Sequence, residues 1–522
     1  MDIVKGALMM RIDWFADRAR ISGSKVAIIE AEKGRKWTFD QMNQRAINLA
    51  AYLQEKGIQS GDRVALFSSN DVAHFDFLLA CTKLGAIFVP MNWRLKDTEV
   101  MHVIQNSEPK LLAYSRVHKT RLGLVPEELL DIDIDSEDYD AIVDPNKKKT
   151  FQPNHSMTEE DIAVLIYTSG TTGLPKGAMI SHRAIISNGL NSIPSWNIHA
   201  GDRGMTTTPM FHTAGLFCFT IPILMAGGQM VVQRFFDADE TIEIIRDFKP
   251  TKAFFVPTMC YMLAHSALFN KENLSSLNYI ISGGAPLSEN VYQLFAEHDL
   301  PLVNSYGLTE IGPNNFSNTP ERQRMKKLSV GKPIMFNDVR IVDDEGNGVP
   351  QGEVGNLIIS NNAKFSGYWN NTEETAKVLK YDFVFTGDLA RMDEEGDYFI
   401  VGRSKDMIIT GGENVYPSEV EKVLNQFPGI VDSVVFGIPV EQWGESVVAA
   451  IITKGLDESI IEELTEYAKS NLAGYKTPKR YYLLDEFPKT PIGKIDKKAL
   501  LSMAQAFEEG RHDLSRPRQI IM

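Results

Sequence analysis

The sequence predicts an α/β protein. A large N-terminal part consists of doubly wound α/β layers plus a small β-rich subdomain, and a small α/β domain follows at the C-terminus. Three observations predict this. Short apolar runs of strand type alternate with helix-length amphipathic segments, the pattern of a parallel sheet covered by helices. Gly61-Asp62-Arg63 and Gly201-Asp202-Arg203 each open such a unit, which suggests two related layers. Beyond Val330 the strands turn short and alternating, between Gly, Asp and Asn turns, and a smaller α/β pattern begins after Lys405. With 522 residues the chain exceeds the ~250–300 that one core usually holds. The polar, glycine-flanked stretch at Lys405 divides it into residues 1–404 and 405–522.

Thr38 and Gln41 form a capping box for a helix ending near Gly57. Its apolar residues Met42, Ala46, Leu49, Ala50 and Leu53 share one face. Strands at Arg63–Phe67, Ala86–Pro90 and Lys110–Tyr114 alternate with helices at Val72–Leu84 and Thr98–Gln105. Residues 126–155, acidic and then basic, read as a solvated surface excursion. The apolar run Ile162–Tyr167 is a buried strand. The second Gly-Asp-Arg unit continues through strands at Met205–Pro209 and Met230–Gln233, with an apolar helix before Gly227-Gly228. A third set comprises Ala253–Val256, Tyr279–Ser282 and Leu302–Ser305. Ligands of open α/β sheets bind outside the carboxyl ends of the strands. The loops after Ser282 and Asn304 are therefore where a nucleotide should lie.

In the β-rich stretch, Val339–Val342 and Gly355–Ile359 are strands, and residues 393–397 form a hairpin turn. The terminal unit holds helix Pro417–Asn425, strands Val431–Ile438 and Val447–Ile452, and the amphipathic helix Glu458–Leu472.

The composition, 43% hydrophobic and 23% charged, is that of a soluble globular protein. A net charge of −14 argues against a nucleic-acid partner, which requires a basic footprint. Cys81, Cys218 and Cys260 are too few and too scattered for a disulfide framework or a cysteine metal site, so a reducing cytoplasm is expected. Lys5, Arg11 and Asp13 interrupt any signal-type apolar core at the N-terminus. Leu216–Ala226, the longest apolar stretch, is too short to span a bilayer and contains Pro222, so no transmembrane segment is expected.

The strand at Ile162–Tyr167 delivers the chain into Thr168-Ser169-Gly170-Thr171-Thr172-Gly173-Leu174-Pro175-Lys176-Gly177. Gly170 and Gly173 let the backbone turn and approach a ligand closely. Four hydroxyls, loop N–H donors and the Lys176 cation are the parts that hold a polyphosphate. The spacing is not that of a Walker loop, because no Ser or Thr follows the lysine.

This loop resembles the phosphate-binding motif of the adenylate-forming family: acyl-CoA synthetases, luciferases and the adenylation domains of peptide synthetases. The resemblance covers about Lys25 to Leu500 through five motifs in the family's order, and looks most like bacterial fatty-acyl-CoA ligases. It implies that a carboxylate attacks the α-phosphate of ATP, giving an acyl-adenylate and pyrophosphate, after which the thiol of coenzyme A displaces AMP. The implied partners are thus a small carboxylic acid, ATP, Mg²⁺ and CoA. An aryl acid, o-succinylbenzoate or a separate carrier protein stand as alternatives to a fatty acid and to CoA.

By the same resemblance, Thr168, Ser169, Gly170, Thr171, Thr172, Gly173 and Lys176 hold the β- and γ-phosphates. Gly283, Gly284, Ala285 and Pro286, with Asn304, Ser305, Tyr306 and Gly307, wall the adenine, and Tyr306 stacks on it. Thr309 contacts the α-phosphate and Glu310 holds Mg²⁺. Asp388 accepts from the ribose hydroxyls, beside Arg403; the Asp382-Phe383 ahead of it departs from the family's usual Gly-Trp. Lys494 bridges carboxylate and α-phosphate during adenylation. Gly411, Gly412 and Glu413 belong to the segment that swings in for the thioester step, as the mobile terminal domain turns about Lys405. His212, in Phe211-His212-Thr213, stands beside the carboxylate. At least half of Leu216, Phe217, Phe219, Ile221 and Ile223 are expected to be core rather than acyl-tunnel lining.

Overall fold

Thr38 closes the expected capping box. Its hydroxyl accepts from Gln41 N at 3.2 Å, while Gln41 Oε1 accepts from Thr38 N at 2.9 Å. The helix so started, Phe39–Glu55, buries Met42, Ala46, Leu49, Ala50 and Leu53 and packs on helix Ala73–Leu84. The computed structural model describes residues 12–154, 156–168, 174–440, 443–453, 459–490, 495–508 and 518–521. Ser169 to Gly173 of the expected phosphate loop, and Lys494, lie outside the described residues.

Among the described residues, two large sheets carry the N-terminal part. One orders its strands Leu130–Asp133, Leu111–Tyr114, Arg63–Phe67, Ile87–Met91, Ile162–Thr168 and Lys176–Ser181; all neighbours are parallel except the last pair. The other orders Leu302–Asn304, Tyr279–Ser282, Lys252–Phe255, Arg203–Thr206, Gln229–Val232, Val26–Glu30 and Lys36–Thr38, again parallel except for the final pair. The doubly wound reading therefore holds, with the two Gly-Asp-Arg units falling one in each sheet. A single large apolar cluster runs between them, from Phe77 and Phe88 on one side to Met230 and Ile281 on the other.

The acidic stretch expected to be a solvated excursion is partly structural. Leu130–Asp133 adds an edge strand, and helix Glu137–Val143 buries Tyr139 and Val143. Tyr139 Oη donates at 2.7 Å to Asp76, which also takes both arms of buried Arg45, at 2.9 and 2.6 Å. Hydrophilic composition concealed this because the helix is anchored by one aromatic residue.

Leu216, Phe217, Phe219, Ile221 and Ile223 are all at most 3% exposed. They lie in a π-helical turn, Ala214–Cys218, in the helix Thr220–Ala226, and at Phe219 between the two, packed into the large cluster. Beyond them come an antiparallel sheet (Asp338–Val342, Gly355–Ser360, Leu379–Lys380, Phe383–Met392, Tyr398–Arg403) and a separate mixed sheet built on Ile430–Val440 and Gly444–Thr453. Lys405 lies exposed in the short turn Ser404–Asp406 between these two sheets. No helix among the described residues is long and apolar enough to cross a membrane.

Candidate active site

Two parallel strands end side by side to make the first wall. Ser282 pairs with Asn304, and Ser305 N donates to Ser282 O at 2.8 Å, so the loops Gly283–Pro286 and Asn304–Gly307 leave the sheet together. Gly307 is required where it stands: a Cβ there would lie 2.0 Å from Pro313 O. The Asn304 side chain is committed to bracing this wall, its amide donating to Leu328 O at 3.1 Å.

Tyr306 leaves the same loop and donates its hydroxyl to Asp388 Oδ2, while Arg403 Nε meets Asp388 Oδ1 at 2.7 Å. Asp388 is placed by the sheet itself, since it pairs in register with Arg403, and Thr386 Oγ1 accepts from its N–H at 3.1 Å. Gly387 precedes it at φ 70°, a left-handed kink that suits glycine. Burial, then the neighbouring Asp388 charge, pushes the Tyr306 hydroxyl well above its ordinary range, so it remains a proton donor. A carboxylate offers about four lone-pair positions, and Tyr306 and Arg403 engage one oxygen of Asp388 each.

The second wall holds the residues expected to face phosphate. Thr168 and Lys176 are paired neighbours at the mouth of the loop that joins them. Lys176 Nζ donates to Glu374 Oε2 and lies 5.5 Å from the centre of the Tyr368 ring. Tyr368 Oη in turn donates to Glu310 Oε1 at 2.6 Å. Thr309, next to Glu310, accepts a 3.1 Å hydrogen bond from Thr213, which follows His212. One chain of contacts thus joins Lys176, Tyr368, Glu310, Thr309 and the His212 loop, although they span positions 176 to 368 of the sequence. Lys176 and Lys377 hold the Glu374 carboxyl down at about 2.

Gly411, Gly412 and Glu413 sit elsewhere. They form the tip of a hairpin in the C-terminal sheet, with Gly411 N donating to Trp443 O at 2.8 Å. The hairpin pairs within that sheet, Thr410 with Glu413 and with Gly444. Tyr368, Glu374 and Thr213 were not singled out by the sequence reading. The available signal was Gly367-Tyr368-Trp369, an aromatic pair in a turn, a place where bulky side chains need a reason.

The chain matches the family described as AMP-binding enzyme over residues 15–369, and that described as AMP-binding enzyme C-terminal domain over residues 419–494. It is 34% identical over 485 residues to a feruloyl-CoA synthase of Amycolatopsis sp, covering 93% of this chain and 97% of the relative. It is 32% identical to the long-chain-fatty-acid–CoA ligase FadD13 of Mycobacterium tuberculosis, covering 94% and 98%. ATP-bound MatB from Rhodopseudomonas palustris superposes with a TM-score of 0.86 at 29% identity, over 95% of this chain and all of that one. Motif loops, sheet ends and similarity over nearly the whole length agree: the chain belongs to the AMP-binding enzyme family.

Proposed function

We propose that this AMP-binding enzyme is an AMP-forming acid–CoA ligase, which activates a carboxylic acid as its acyl-adenylate and passes the acyl group to CoA. The observation that carries the reading is the joining of Lys176, Glu310 and the His212–Thr213 loop through Tyr368 and Thr309, with Thr309 on the same loop as the Tyr306 that bonds Asp388. Phosphate, acid and ribose functions would then meet at the ends of adjacent elements, which is what attack on an α-phosphate requires.

In this reading Lys176 binds the β- and γ-phosphates with the hydroxyl loop Thr168–Thr172. Asp388, its charge fixed by Arg403 and its second oxygen by Tyr306, accepts from the ribose hydroxyls. Thr309 and His212 flank the place where carboxylate meets α-phosphate, and Lys494 stabilises the charge that builds there. Gly283–Pro286 and Asn304–Gly307 wall the base. Among the described residues no cluster of three or more His, Cys, Asp or Glu could hold a metal unaided. Glu310, with one oxygen engaged by Tyr368, fits Mg²⁺ shared with phosphate oxygens, the manner in which that ion is usually held. Bound there it would neutralise phosphate charge.

The terminal domain, residues 405–522, turns about Lys405 between the two half-reactions and brings Gly411, Gly412 and Glu413 to the thioester step. All three cysteines are buried and free, in keeping with a reducing cytoplasm. For the acid we favour an aliphatic chain over an aryl ring, on the motif resemblance to bacterial fatty-acyl-CoA ligases and the similarity to FadD13. The test is pyrophosphate release across straight-chain and aryl acids with ATP and CoA. Efficiency should rise with each added methylene by no more than ~0.8 kcal/mol. A maximum at benzoates or cinnamates, falling with aliphatic length, would assign the pocket to aryl acids.

A further inference from the structure

Lys176 is 12% and Glu374 19% exposed at their side chains, so their ion pair is largely withdrawn from solvent. Glu374 is also claimed from the other side: Lys377 Nζ lies 2.7 Å from its Oε1, and 2.8 Å from Glu373. Helix Thr372–Val378 fixes this arrangement, since Asn371 caps it by accepting from Glu374 N at 3.1 Å. The same segment is bolted to the strand that carries Lys176. Trp369 N donates to Gly177 O at 2.7 Å, and Tyr368 pairs with Ala178. Glu374 therefore faces Lys176 because two backbone elements hold it there, and the contact is not an accident of two long side chains.

A phosphate that engages the Lys176 ammonium meets this carboxylate. Either the ammonium leaves Glu374, or phosphate and carboxylate share it as neighbouring anions; both cost affinity. We propose that Glu374 is a built-in anionic competitor for Lys176 that sets how tightly the site grips polyphosphate, and that Lys377 is the counter-cation that takes over Glu374 when Lys176 is engaged. The proposal rests on the reading of Lys176 as a phosphate ligand. Its use would be release: a lysine that returns to a resident carboxylate lets pyrophosphate depart, whereas an unopposed one retains it.

Two neighbouring charge removals should then act with opposite signs. Glu374→Gln keeps the helix, its cap and its shape but removes the competing charge. Binding of inorganic pyrophosphate, and of ATP with chelator present, should tighten by about three- to tenfold, the range of a partly buried ion pair. Lys377→Met leaves Glu374 with Lys176 as its remaining close cation, and both ligands should bind several-fold more weakly. The test is calorimetric titration of the full chain with each ligand, for both variants and for the double variant.

In the double variant the loss due to Lys377→Met should vanish, because it acts through Glu374. Persistence of that loss would show that Lys377 acts on phosphate directly, and would overturn its assigned part. Weaker binding in Glu374→Gln would overturn the competition and make Glu374 a support for Lys176. Lys176→Met separates the two levels. Unchanged pyrophosphate binding there would remove the phosphate reading of Lys176 itself. Weakened binding there with unchanged Glu374→Gln would remove only the competition.

Discussion

The units opened by Gly61-Asp62-Arg63 and Gly201-Asp202-Arg203 share one frame at their N-terminal ends. Gln59 N donates to Asp62 at 2.8 Å, and His199 N donates to Asp202 at 2.9 Å. Ile87 N reaches Asp62 O, and Gln229 N reaches Asp202 O. Each aspartate also faces a lysine one strand over: Lys110 at 2.8 Å and Lys252 at 3.7 Å. At their C-terminal ends the units part. The first runs through buried Ser68, Ser69 and Asn70 straight into helix Ala73–Leu84. The second carries on through Pro209 to His212 and Thr213, whose hydroxyl reaches Thr309.

Asn70 ties the two together. Its amide donates to Thr208 O and Gln233 O, both at 3.2 Å, and its oxygen accepts from Met210 N at 2.8 Å. The first unit is thus a scaffold for the loop that the second presents. One local design serves as scaffold in one sheet and, on the proposed reading, presents the acid-facing loop in the other, and the division is made at the carboxyl ends of the strands.

The widest predicted gap between the units is in stability. Lys110 is 53% exposed, whereas Lys252 is 4% exposed beside an aspartate at 1%. Lys252→Ala would leave the buried Asp202 carboxylate to His199 N and the Thr251 hydroxyl, without its nearest cation, and should cost ~2–3 kcal/mol. Lys110→Ala should cost ~1 kcal/mol at most. Urea unfolding midpoints compare them directly, and equal losses would break the distinction between a surface and a buried frame.

Next is the tie itself. Asn70→Ala strands Met210 N and two carbonyls in a buried place, an expected loss of ~1–3 kcal/mol. If the tie positions the His212 loop, kcat/KM for the acid should fall well beyond KM for ATP, and Asn70→Asp, which keeps the acceptor for Met210, should recover part of it. Loss of stability with unchanged acid kinetics would make the tie purely structural.

The third effect is a pH slope. Burial holds His74, on the scaffold unit's helix, and His182 down to about 4 from 6.5. Between those values the unfolded chain binds protons that the folded chain refuses, so stability is complete above pH 6.5 and falls as pH drops toward 4. Each histidine contributes a slope of about 1.4 kcal/mol per pH unit within that window. His74→Gln should remove one such share from the acid limb of an unfolding–pH curve. An unchanged slope would mean that His74 is protonated in the fold.

Much of this was legible in the chain because period and punctuation survive folding. Arg63–Phe67 and Tyr279–Ser282 have the predicted bounds, the Thr38 capping box forms, and the strand at Leu302 ends at Asn304, one residue before the predicted Ser305. What escaped was non-local. Nothing around Glu374 announces that it faces Lys176, 198 positions away, and nothing around Asn70 announces Thr208, 138 positions away. Asp388 read as a ligand because its motif is short and contiguous, yet its bond from Tyr306 exists only once two sheets are brought together. Tyr139 was hidden in an acidic run whose average hydrophilicity says nothing of the one ring that docks.

The central claim is that an acid attacks the α-phosphate at this site. The direct measurement uses an acid labelled with ¹⁸O in its carboxylate, incubated with the enzyme, ATP, Mg²⁺ and CoA, and the phosphorus-containing products weighed by mass spectrometry. One labelled oxygen is expected in AMP and none in pyrophosphate, since the carboxylate oxygen that joins Pα leaves with it when the thiol takes the acyl carbon. Label in orthophosphate, with ADP as the nucleotide product, would contradict it.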